Sequence, residues 1–193
     1  MYKNLEFDKN YIYKLSNEFY NKSNDDIDEI YKKDIIKLIW GNDERIKNIK
    51  ENLKILKQNN ITLFISSKGE LYSIIKSINL INISNYFKII HSSNSGKLYN
   101  IENEKIYGKS NFIMNYVFKY YNKILYIDDD HRDALSFYSY LQSNKENECI
   151  RNDEYDIVNI NNDIKYYFNK QIKNPYFGGI NNEIFDSILN IMI

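Results

Sequence analysis

The chain has 193 residues, 43% of them hydrophobic, enough for one domain to bury a core without the help of disulfides. Its 26 Lys and Arg balance 26 Asp and Glu, which argues against a net positive field that would recruit nucleic acid or an anionic membrane surface. The single Cys149 excludes an internal disulfide framework, and neither an apolar run of about 18 residues nor a basic-then-apolar leader is present, so the expectation is no membrane association and a reducing, cytoplasmic setting.

Residues 13–41 are expected to form a small helical insertion, ending near Trp40, a core or packing residue. Over residues 43–58, Ile46, Ile49, Leu53 and Leu56 recur at helical spacing behind an Asn42/Asp43 cap. The apolar run Ile61-Thr62-Leu63-Phe64-Ile65 then reads as a buried strand. A second helix is expected over 70–77, a long polar loop over 92–105, and a third helix over 109–121. The last has Phe112, Ile113, Tyr116, Val117 and Tyr120 on one face and feeds a strand at 123–127. A fourth helix follows at about 132–141, burying Ala134, Leu135, Tyr138 and Leu141. After Pro175 and Gly178-Gly179, a final turn leads to a helix bearing Ile184, Phe185, Ile188 and Leu189. His91 and His131 read as surface residues, since no second His or Cys stands at a ligand spacing from either.

Short, continuously apolar strands alternating with amphipathic helices predict an α/β fold: a parallel sheet with helices on both faces. Ligands of such sheets sit beyond the carboxyl ends of the strands. At one such end stands Ile127-Asp128-Asp129-Asp130-His131-Arg132-Asp133. Carboxylates this dense repel one another unless neutralised, and a hard divalent cation with oxygen ligands does so; Mg²⁺ needs only one or two carboxylates plus water and phosphate. Asp128, Asp129 and Asp133 are the candidate metal ligands. In the alternative, Asp130 caps the next helix and the other acids are solvated.

Asp128-Asp129 with Asp133 resembles the acidic strand end of the haloacid dehalogenase-like (HAD) phosphatase superfamily. The wording from Tyr126 to Asp133 is nearest the small magnesium-dependent phosphatase branch. Two further elements stand in the family's order: Ile61 to Ser67, with a strand-end Ser (Ser67, or Ser66 as the alternative), and Gly108-Lys109 at the start of the helix before the acidic strand. The resemblance implies a three-layer, Rossmann-type sheet over the whole chain, with a minimal cap at 13–41.

The family's nucleophile is an Asp at the end of the first strand, in an Asp-x-Asp-x-Thr motif. Leu5-Glu6-Phe7-Asp8-Lys9-Asn10-Tyr11-Ile12 is similar to that motif at Phe7-Asp8, which makes Asp8 the implied nucleophile and a further Mg²⁺ ligand. Asn10 stands where the general acid should be, Ile12 where the Thr should be, and Asn4 and Glu6 interrupt the apolar strand. The resemblance thus implies an Mg²⁺-dependent phosphomonoester hydrolase working through an aspartyl-phosphate. Ser67 and Lys109 would cradle the phosphate, and the small cap would leave room for a bulky phosphorylated substrate such as a phosphoprotein. The alternative from another class is a degenerate domain that binds a partner or a phosphate group without turning it over. A response-regulator receiver also uses acids, a Ser or Thr and a Lys on a parallel sheet, but in an order this chain does not follow.

Overall fold

A computed structural model describes residues 8–117, 119–121, 124–128, 133, 147–151, 155–160, 164–169, 185–186 and 189. The chain is a mixed α/β protein. Three capped helices come first. Asp8 caps α1 (Lys9–Asn21), Asp28 caps α2 (Glu29–Trp40) through Ile30 N–H at 2.9 Å, and Asn42 caps α3 (Asp43–Gln58) through Arg45 N–H at 2.9 Å. Each cap accepts from a first-turn amide that has no partner inside the helix. The segment 13–41, expected to be a helical insertion, therefore holds most of α1 and all of α2, with α1 already beginning at Lys9.

The α1/α2 hairpin packs Leu15, Phe19, Ile27 and Ile35 together with Leu80 of α4 (Leu71–Leu80). Polar contacts reinforce this docking. Lys76 of α4 is buried and gives its ammonium to the carbonyls of Phe19 and Lys22, at the carboxyl end of α1. Asn24 Nδ2 donates to Lys76 O at 3.2 Å, and the Trp40 indole N–H donates to Ser77 O at 2.9 Å. A buried cation is tolerated here because helix-terminal carbonyls carry partial negative charge, and the Phe19 ring lies 4.9 Å from Nζ.

Strands β1 (Leu63–Ser67) and β2 (Phe87–Ser92) pair in parallel, joined by α4 and a 3₁₀ turn at Ser84–Tyr86. Strand β2 has no counterpart in the sequence reading. The segment after it, expected as a polar loop, folds back on it: Tyr99 N–H donates to Ile90 O at 2.8 Å and Ser92 N–H to Lys97 O at 2.9 Å. Gly96 is buried there at φ +70°, and a Cβ would meet Ile106 backbone at 3.2 Å, so only glycine fits.

The third expected helix begins as α5 (Lys109–Phe112) and continues as a π-helical turn, Ile113–Val117. Strand β3 (Ile124–Asp128) pairs in parallel with β6 (Ile164–Asn169), while β5 (Tyr155–Ile160) lies antiparallel to β6 and to β4 (Asn147–Arg151). The expected parallel pairing is present in β1-β2, whereas β3-β6-β5-β4 forms a second, mixed sheet among the described residues. Only three residues separate β4 from β5 and β5 from β6, too few for a crossover, so these strands must run antiparallel.

One apolar cluster joins the sheets. Phe112, Ile113, Val117 and Ile124 are buried in it, with Phe64 of β1, Ile89 of β2 and Tyr126 of β3 packed against them. A second cluster seals α3 and α4 onto β1 and β2 through Leu53, Ile78, Ile83 and Ile90. Of the expected helix at 132–141 only Asp133, and of the final helix Phe185, Asp186 and Leu189, belong to the described residues; all four have helical backbone, and Phe185 is buried. No helix among the described residues is long and apolar enough to cross a membrane.

Candidate active site

The carboxyl ends of β1 and β2 lie side by side, Ser67 opposite Ser92. Alternation along β1 sends Ser66 and Ser67 to different partners. Ser67 Oγ accepts from Gly69 N–H at 3.2 Å, turning the chain away from the strand. The Ser67 carbonyl accepts from Ser93 N–H at 2.7 Å, and the Ser93 carbonyl accepts from Gly108 N–H at 3.0 Å. This short relay ties the start of α5 to the end of β1. Gly108 is at φ +82°, a conformation that L side chains rarely adopt, and it delivers the next residue, Lys109, to the site.

Lys109 and Lys68 converge on one carboxylate. Lys109 Nζ lies 2.8 Å from Asp133 Oδ2, and Lys68 Nζ lies 2.9 Å from Asp133 Oδ1. The Lys109 side chain is only 13% exposed, against 48% for Lys68, so the Lys109 pair is less screened by solvent and more tightly held. Burial pushes the Asp133 carboxyl up, but hydrogen bonds and charge from Lys109 and Lys68 outweigh it and leave the group below its ordinary value. Asp133 therefore stays ionised and holds the Lys109 ammonium in place. Lys68 went unremarked in the sequence reading; its position directly after the strand-end Ser was the available signal.

Asp8, the implied nucleophile, is exposed, and its Oδ1 accepts from Asn10 N–H at 3.3 Å as the cap of α1. Asn10, in the first turn of α1, is exposed as well. The strand expected before Asp8 lies outside the described residues. Asp128 is the last residue of β3, one past the strand expected at 123–127, and Asp129 lies outside the described residues. Asp133, expected among the metal ligands, has each oxygen against an ammonium group. Among the described residues no group of three or more His, Cys, Asp or Glu side chains is placed to hold a metal. The carboxylates Asp8, Asp128 and Asp129 are of the hard-oxygen type that suits Mg²⁺.

His91 corrects a further expectation. Read as a surface residue, it is wholly buried in β2. Its Nδ1 lies 2.8 Å from Ser66 Oγ and its Nε2 2.7 Å from Ile106 O, while its ring stacks on Phe112 with centroids 4.4 Å apart. Burial pushes its pKa down, only partly opposed by the bond to Ile106. The alternative strand-end residue, Ser66, is thus committed to His91, leaving Ser67 as the hydroxyl on the side of the relay to α5. Neither a family model nor a curated protein nor a solved structure matches the chain.

Proposed function

We propose that the chain is an Mg²⁺-dependent phosphomonoester hydrolase of the HAD type, built on a three-layer Rossmann-like sheet with a minimal cap formed by α1 and α2. The observation that carries this reading is the pairing of Lys109 with Asp133 beside the Ser67 strand end. These three residues come from separate stretches of the sequence and correspond in order to the family's Ser, Lys and acid positions. Phosphoryl transfer asks the protein mainly to position groups and neutralise oxygens. Lys109, held by Asp133, would neutralise a phosphate oxygen and relieve repulsion between the dianion and the Asp8 carboxylate. Ser67 would hydrogen-bond a second oxygen. Asp8, Asp128 and Asp129 would hold Mg²⁺, which supplies charge neutralisation to the phosphate when bound. The small cap suits an accessible phosphate ester, such as that of a phosphoprotein.

A second reading, phosphate or partner binding without turnover, is favoured by one specific observation: Asp8 is engaged as a helix cap and is followed by Asn10 in place of a general acid. Hydrolysis of p-nitrophenyl phosphate with Mg²⁺ separates the two. Turnover by wild type that is abolished in both Asp8→Asn and Lys109→Ala supports the enzyme. Phosphate binding that depends on Lys109, without turnover, supports the binding domain.

A further inference from the structure

Both ring nitrogens and one face of His91 are engaged, and its partners come from three separate segments. Ser66 is its register partner on β1, Ile106 lies in the stretch leading to α5, and Phe112 is the last residue of α5. A backbone carbonyl only accepts, so the bond to Ile106 O fixes the proton on Nε2. The neutral ring then has a lone pair at Nδ1, which accepts a hydrogen bond from the Ser66 hydroxyl. The ring orientation is therefore fully determined. Ile106 stands three residues before Lys109 and Phe112 three residues after it, so His91 grips the chain on both sides of the lysine. The backbone ties to this stretch, Ile106 N–H to Gly96 O and Gly108 N–H to Ser93 O, lie before Lys109, and after it Phe112 is packed by Phe64 as well. His91 also grips the residues after it.

We propose that His91, oriented by Ser66, is a positioning residue that sets the Lys109 ammonium against Asp133 and the bound phosphate. This rests on the phosphate-site reading above. A histidine that only filled the core would contribute stability without any selective effect on what Lys109 does.

The test is a double-mutant cycle on the full chain, reading affinity for inorganic phosphate in the presence of Mg²⁺ by calorimetry, alongside thermal melts. His91→Phe keeps ring volume and stacking but loses both hydrogen bonds. It is expected to weaken phosphate binding about three- to tenfold, and to add nothing further in a Lys109→Ala background, because coupled residues are non-additive. His91→Gln, which keeps a donor at the position of Nε2, is expected to recover most of the affinity. Wild-type affinity in His91→Phe, even with a lowered melting temperature, or losses that multiply in the double variant, would overturn the proposal. If His91→Phe does not fold, the same cycle is read on Ser66→Ala: non-additivity with Lys109→Ala supports the proposal, and additivity or wild-type affinity overturns it. Lys109→Ala with undiminished phosphate binding removes the phosphate site itself, and the positioning role with it.

Discussion

Lys109 and Asp133 meet at 2.8 Å, with Lys68 on the other oxygen of the same carboxylate. The pairing makes Asp133 the part that holds the Lys109 ammonium in place, and it has a pH signature. The Asp133 carboxyl lies below its ordinary value in the folded chain, so its contribution to stability is fully present above the unfolded carboxylate pKa of about 3.9 and is lost as pH falls through the folded value. Asp133→Asn is expected to cost on the order of 1 kcal/mol at neutral pH, with Lys68 adding little because it is half exposed. The difference from wild type should shrink in urea titrations below about pH 4. A difference independent of pH would mean that the pair contributes through packing alone.

Mg²⁺ is expected to raise the melting temperature of the wild-type chain, since a ligand that binds only the native state adds stability by mass action. Asp129→Ala should lose that rise and, without metal, melt no lower than wild type, because a repelling carboxylate has gone. Melts with and without Mg²⁺, each repeated with a phosphate analogue such as beryllofluoride, check this. A wild-type melt indifferent to Mg²⁺ under both conditions would remove the metal site.

Asn10 has no proton to give at neutral pH, and a positioned general acid contributes about 10²–10⁴-fold. Hydrolysis should therefore be seen with p-nitrophenyl phosphate, whose leaving group is stable as the phenolate, before it is seen with alkyl phosphates. Asn10→Asp is expected to raise turnover of alkyl phosphates more than that of p-nitrophenyl phosphate. Equal effects on both substrates in steady-state assays would show that position 10 does not face the leaving group.

Lys76 closes the carboxyl end of α1 from within the core. Lys76→Met keeps much of the side-chain volume but leaves the Phe19 and Lys22 carbonyls without their donor, at an expected cost of about 1–3 kcal/mol. For a chain of this size that lowers the melting temperature by roughly 2–4 °C per kcal/mol. Calorimetry would show it, and an unchanged melt would mean that water replaces the ammonium without penalty.

Local signals in the sequence were sufficient for some of this. Helix α3 runs from Asp43 to Gln58 as its spacing predicts, because the Asn42 cap and the apolar stripe both act within a few residues. Strands β1 and β3 are legible from their short apolar runs for a similar reason, each extending one or two residues into the hydroxyls or acid that follow. Ser67, Lys109 and Asp133 stand out in the sequence through their order in the family resemblance, Asp133 there as a metal ligand and not as the partner of Lys109. What brings Lys109 to Asp133 is not local. It needs the Ser67–Ser93–Gly108 relay, the core under Phe112, and Lys68 on the other oxygen of Asp133. Strand β2 was missed because Phe87-Lys88-Ile89-Ile90-His91-Ser92 ends in polar residues, and their burial becomes favourable only once Ser66, Gly69 and Ile106 supply hydrogen bonds. His91 is the clearest case, since a lone histidine in a polar stretch reads as solvent-exposed. The parallel pairing of β3 with β6 likewise emerges only from the tertiary structure. Sequence thus determined the elements whose energetics are settled within a turn or two of chain. The tertiary structure decided which polar groups are buried, because a buried donor or acceptor is tolerated only where a distant segment arrives to satisfy it.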